Sequence, residues 1–187
     1  GRPDLEPMQI KALLMNGAET EIYINPATQP GVLAPISRIG AGELRVDRAA
    51  TLGALAWDQA SGAAALSFGA VEADRQTVVA RTLTLHNLGN TAKQFQIASS
   101  FRYANDRDSA AVSVQAPSVV NVPANGSADV SISLVINPTR LHPWALNGGS
   151  QGGNGAALSV PEYDGFITLV AGNETLSVPW HVLPRKS

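Results

Sequence analysis

The stretch from Arg81 to Ile97, RTLTLHNLGNTAKQFQI, limits the possible folds more than any other part of the chain. Val79, Leu83 and Leu85 share one face of a period-two pattern whose other face carries Thr82, Thr84 and His86. The alternation resumes at Phe95, Ile97 and Phe101 after the turn residues Gly89 and Asn90. This spacing predicts a β-hairpin, and a strand pair with one apolar face needs a second layer to cover it.

Further short alternating segments follow the same rule. The candidate strands are 64–68, 78–88, 93–101, 111–115, 119–122, 127–136, 163–170 and 175–182. A second hairpin is expected through Pro123-Ala124-Asn125-Gly126, beyond which Val130, Ile132, Leu134 and Ile136 alternate with polar residues. A third is expected at Gly172-Asn173. There Leu176, Val178, Trp180 and Val182 make one face, and Pro179, which cannot donate a ladder hydrogen bond, points to an edge or a bulge. The fold class is therefore mainly β, an immunoglobulin- or fibronectin-III-like antiparallel sandwich, preceded by a short α-helical segment.

That segment begins with a helix over Leu5–Asn16, with Pro7 suited to the first turn and Gly17 to the C-cap. Leu5, Met8, Ile10, Ala12, Leu13, Leu14 and Met15 cover nearly its whole circumference, so it demands cover from the second helix, the sandwich, a further domain or another copy of the chain. A short strand is expected at Glu21–Ile24, then a proline-rich loop, then a turn at Gly40-Ala41-Gly42. A second helix, capped by Asp47, is expected to run to about Trp57. Residues 1–60 and 61–187 are expected to form two units, the second able to fold alone, since about 125 residues suffice for a sandwich core.

Composition narrows the partners. A net charge of −2 with no long run of one sign leaves no electrostatic footprint for nucleic acid or an anionic membrane. No apolar run is long enough for membrane insertion. With no cysteine, disulfides, thiolate nucleophiles and zinc-thiolate sites are all excluded.

The order of several sequence words resembles the C-terminal part of the subtilisin-like serine proteases. Ile10-Lys11-Ala12-Leu13-Leu14-Met15-Asn16-Gly17-Ala18, and later Gly40-Ala41-Gly42 with Val46-Asp47 and Ala49-Ala50, are similar to the end of the catalytic domain. Leu66-Ser67-Phe68-Gly69, Leu83 to Gly89, Val122 to Ser127, Tyr163 to Ile167 and Val178-Pro179-Trp180 are similar to the fibronectin-III-like domain that follows it. The resemblance implies a non-catalytic accessory region, outside the cell or on its surface. It also implies that this region packs on its own protease domain, stabilises it or shapes access of a protein substrate. The same residues leave open a free-standing adhesion or carbohydrate-binding sandwich, with loops 102–110 and 137–160 as recognition elements, or a structural spacer.

No catalytic, cofactor or metal residues are assigned. His86 and His181 are expected on polar strand faces and His142 in a loop, with no nucleophile motif beside them. Asn105-Asp106-Arg107-Asp108 offers oxygen ligands but lacks the glycine and glutamate of a known calcium loop, and is expected to be a solvated connection. Asn125-Gly126-Ser127 and Asn173-Glu174-Thr175 match the glycosylation pattern but also suit turns. Trp57, Trp144 and Trp180 are expected in packing rather than in a sugar platform. Gly40-Ala41-Gly42 is too short for a phosphate loop. Self-association through the Leu5–Asn16 helix is expected to cover its apolar surface.

Overall fold

The computed structural model describes residues 4–142 and 161–187. Three short helices, α1 (Pro7–Asn16), α2 (Ile36–Ile39) and α3 (Val46–Thr51), precede nine strands among the described residues. The strands are β1 (Ala54–Asp58), β2 (Leu66–Ala73), β3 (Thr77–Asn87), β4 (Lys93–Phe101), β5 (Val112–Gln115), β6 (Val119–Val122), β7 (Ser127–Ile136), β8 (Tyr163–Ala171) and β9 (Glu174–Lys186). A fourth helix, α4 (Ala104–Ser109), links β4 to β5, and a 3-10 turn at Pro138–Arg140 follows β7. No helix of the described residues is long and apolar enough to cross a membrane.

The strands form two sheets, ordered β1-β3-β7-β5 and β2-β9-β8-β4-β6. All pairings are antiparallel except β2 with β9. Period-two alternation sends Leu83 and Leu85 of β3 and Ile132, Leu134 and Ile136 of β7 inward from one sheet. From the other come Phe95 of β4, Ile167 and Leu169 of β8, and Leu176, Val178, Trp180 and Val182 of β9, all fully buried. Each such aliphatic or aromatic side chain contributes about 1.5–3 kcal/mol relative to leaving it wet. The result is the expected fold class, an immunoglobulin-like β-sandwich.

Two of the three expected hairpins do not form. β3 and β4 lie in different sheets, so the turn after Asn87 crosses the sandwich instead of folding the chain back on itself. The Pro123–Gly126 turn likewise carries the chain from β6 in one sheet to β7 in the other. Alternation fixes which side chains face inward but is silent on which sheet a strand joins.

The two crossings are laced together by Asn87, which is fully buried. Its Nδ2 donates to the carbonyls of Thr91 at 2.7 Å and Pro123 at 3.1 Å, while its Oδ1 accepts the Gly89 N–H at 2.9 Å. Backbone bonds from Asn87 to Gly126 and from Asn125 to Gly89 complete the seam. Asn125 takes a left-handed φ of 48° there, which asparagine tolerates better than most residues.

The third hairpin forms as expected, with Ala171 facing Glu174 across a left-handed Gly172. Pro179 is in a central strand. However, the β2 ladder begins only at Trp180, so Pro179 has β8 alone as neighbour and no hydrogen bond is lost.

The N-terminal segment departs furthest from expectation. α1 starts at Pro7 and ends at Asn16 with Gly17 as its C-cap, and Glu6 and Gln9 form a capping box. The second helix stops at Thr51 with Arg45 at its N-cap, while Asp47 lies in the first turn. Trp57 belongs to β1, which pairs with β3 from Ala54↔Asn87 to Asp58↔Leu83. The sandwich therefore begins ahead of the expected boundary at residue 61. Glu21–Ile24 forms no strand; single bridges join Tyr23 to Leu33 and Glu19 to Glu43.

The chain itself covers part of α1. Ala12 and Leu13 enter the core, whereas Met8 and Ile10 remain 50% and 44% exposed.

Candidate functional site

Three of the buried charged side chains, Arg102, Asp106 and Asp164, gather where β4 leaves its sheet and β8 enters. Arg102, directly after β4, is 8% exposed, and its fork donates to three carbonyls of the N-terminal segment. Nε reaches Ala34 O at 2.7 Å, Nη1 reaches Thr20 O at 2.7 Å and Nη2 reaches Ile22 O at 2.9 Å. The Tyr103 hydroxyl donates to Leu33 O at 2.8 Å, and Asp164 Oδ2 accepts the Ile36 N–H at 2.7 Å as α2 begins. Five bonds thus hold residues 20–36 against the sandwich. Planar donor geometry suits Arg to this gathering of carbonyls in a way that Lys does not share.

Two carboxyl groups are buried here, Asp164 of the clamp itself and Asp106. Asp164 is 1% and Asp106, on α4, 3% exposed. Burial, with Asp164 as a nearby like charge, pushes Asp106 up to about 7. Burial also pushes Asp164 up to about 6, opposed by the Ile36 N–H, raised further by Glu162, and opposed again by Arg102 and His181. Burial pulls Arg102 below its ordinary range.

The expectation of a solvated loop at Asn105–Asp108 is therefore corrected. α4 turns Asp106 inward, and only Arg107 and Asp108 form an exposed ion pair, at 2.8 Å. Among the described residues no group of three or more His, Asp or Glu side chains is placed to hold a metal ion.

The histidines lie apart. His86 Nδ1 is 2.9 Å from Ser127 Oγ, its partner across the β3–β7 ladder, and its ring sits 6.5 Å from that of Trp57. No carboxylate orients that imidazole among the described residues, since Asp129 is engaged by Thr84 at 2.6 Å and Gln59 at 2.7 Å. His142 stacks on Tyr163, and His181 faces Asp164 across β8 and β9. In the register His181 lies between Ser67 of β2 and Asp164 of β8, but no side-chain hydrogen bond links these three among the described residues, so no nucleophile–base–acid relay is made there.

A crevice of about 770 Å³ lies between the N-terminal segment and the β8–β9 turn. Its charges already have partners. Glu174 accepts the Gly53 N–H and pairs with Lys93, and Arg48 pairs with Glu19 at 2.8 Å. No aromatic side chain lines it, so it holds no stacking platform for a sugar.

Trp180 is a core residue donating to Ser100 O at 3.1 Å, Trp57 is half-buried, and Trp144 lies outside the described residues together with the Asn147–Gly155 stretch and much of the 137–160 loop. Asn125 and Asn173 are exposed turn residues. Gly40-Ala41-Gly42 is a turn whose Gly42, at φ 119°, packs so tightly that a Cβ would lie 2.0 Å from Glu19 O.

The polar residues that organise the fold, Asn16, Arg102 and Asp164, carried no signal in sequence. Their partners lie 40 to 161 positions away, beyond the reach of any local pattern.

Comparison with known proteins gives limited company. No protein family and no curated protein matches the sequence. Among solved structures, the CooA pilin subunit from enterotoxigenic Escherichia coli is similar at 11% identity and a TM-score of 0.43, covering 73% of this chain and 99% of that one. The FixG-related protein from Vibrio parahaemolyticus is similar at 12% identity and a TM-score of 0.42, covering 71% and 94%. A PapD-like domain of human CEP192 is similar at 14% identity and a TM-score of 0.40, covering 72% and 87%.

Proposed function

We propose that this chain is a non-catalytic accessory module of a subtilisin-like serine endopeptidase, working outside the cell or on its surface. One observation carries the reading. The segment that carries the words resembling the end of a subtilase catalytic domain is bonded to the sandwich, by Asn16 within the first word and by Arg102, Tyr103 and Asp164 on residues 20–36 between the two words. A protease domain entering through such a segment would be held by the sandwich as by a bracket, with local unfolding of its last helices opposed.

The test adds the purified chain to a subtilisin-like catalytic domain lacking its own C-terminal region and follows thermal inactivation. A longer half-life, with no fluorophosphonate labelling of the added chain, supports the reading. An unchanged half-life at saturating chain, or labelling of any of its serines, contradicts it.

A second reading, a free-standing surface adhesion or carbohydrate-binding sandwich, is favoured by a different observation. The two sheets enclose one continuous core around Trp180, Phe95 and Leu134, to which α1 adds Ala12 and Leu13. Binding to a glycan or matrix-protein array by the chain alone would favour this reading over the first.

A further inference from the structure

We propose that the groove between α1 and α3 is the contact face of a symmetric homodimer, in which Lys11 of each copy faces Asp47 of the other. The inference does not rest on the protease reading. The groove has a volume of about 370 Å³, and its walls include Ile10, Leu13 and Leu14 on one side and Val46, Ala49 and Ala50 on the other. Both walls have apolar residues at positions i, i+3 and i+4, with a charge at i+1. At about 100° per residue the three apolar positions form one stripe, and i+1 sits about 60° beyond its edge. Each wall therefore has a charged rim, Lys11 on α1 and Asp47 on α3, of opposite sign.

Both rim residues are exposed, and neither has a hydrogen-bond or ion-pair partner among the described residues. The neighbouring arginines differ in this, since Arg45 pairs with Glu43 and Arg48 with Glu19. Exposed large apolar side chains are also concentrated in this part of the molecule. Met8, Ile10, Tyr23, Leu44 and Val46 belong to the N-terminal segment, against Val78 and Val119 on the rest of the described surface.

A two-fold rotation exchanges the walls and lays α1 of one copy over α3 of the other. The accessible part of each stripe, Ile10 and half-buried Leu14 on α1 and Val46 and Ala50 on α3, then meets that of the other copy, and two Lys11–Asp47 contacts form at the rims. An identical chain meets both requirements at once.

The test is sedimentation velocity of the 187-residue chain over a concentration series. Wild type should show a monomer–dimer equilibrium. Lys11→Asp and Asp47→Lys, both at exposed positions, should each raise the dimer dissociation constant by at least about tenfold, because each homodimer then juxtaposes like charges twice. Mixed in equal amounts, the two variants should recover wild-type association, since the heterodimer restores both attractive contacts. A wild type that stays monomeric to its solubility limit, or a mixture that associates no better than either variant alone, would overturn the proposal.

Discussion

The side chain of Asn16 accepts the backbone N–H of Ala56 at 2.7 Å and donates to the carbonyl of Ser177 at 3.4 Å, so one residue of α1 ties edge strand β1 of one sheet to the stretch of β9 in the other that β2 does not pair. Asn16 is 1% and Ala56 0% exposed, leaving water no easy access to the N–H if the acceptor is removed. Asn16→Ala should cost about 1–3 kcal/mol, the penalty of an unsatisfied buried amide. Urea unfolding would report it as a lower midpoint at unchanged slope. An unchanged midpoint would mean that β1 does not depend on this bond.

Arg102 makes a separable prediction. Arg102→Lys keeps the charge but loses the fork, so at least one of the three carbonyls from Thr20, Ile22 and Ala34 is released. A charge-assisted bond contributes about 1.5–3 kcal/mol, and 1.4 kcal/mol is tenfold in an equilibrium. Amide exchange at Ile24 and Ala34, whose N–H groups bond within the clamped loop, should accelerate by about tenfold or more. Amides of β7 should be unaffected.

The buried acids give stability an unusual pH dependence. Asp106 is raised to about 7 and Asp164 to about 6, from ordinary values near 3.8. Between those limits the folded chain holds protons that the unfolded chain has released, so the contribution of these groups is complete below about pH 4 and is lost as pH rises toward 7. Asp106→Asn removes the larger part of that dependence. Its melting temperature should exceed that of wild type by several degrees at pH 8, with the difference vanishing near pH 4. A variant less stable than wild type at pH 8 would contradict the assignment.

Gly165 is fixed by a close approach. A methyl group there would lie 1.8 Å from Ser100 O and 2.9 Å from Trp180 Nε1, disturbing the bond between those two groups. Gly165→Ala should cost at least about 2 kcal/mol and alter the near-ultraviolet signal of Trp180. Wild-type stability would show that β4 and β8 can separate at no cost.

These residues also show what could be read in advance. β4, β6 and β7 match their expected bounds because each has one face in the core and one in solvent, which is what alternation records. β1 was hidden for the opposite reason. Ala54, Leu55 and Ala56 are all buried, with α1 packed against the strand, so its residues read as the continuation of a helix. The hairpin at Asn87 was misread because its turn chemistry is real but serves a crossing. Asp106 reads as part of a solvated loop because nothing near it in sequence reveals its burial or the like charge of the remote Asp164.

The central claim is that the N-terminal segment and the sandwich are a single body, tied by β1, Asn16 and Arg102. Comparing the thermal unfolding of residues 1–187 with that of residues 61–187 tests it most directly. The full chain should melt in one cooperative transition. The shorter chain, lacking β1 over the Leu83–Asn87 edge and the cover of α1, should be unfolded or melt at a much lower temperature. A shorter chain that melts cooperatively at the temperature of the full one would contradict the account.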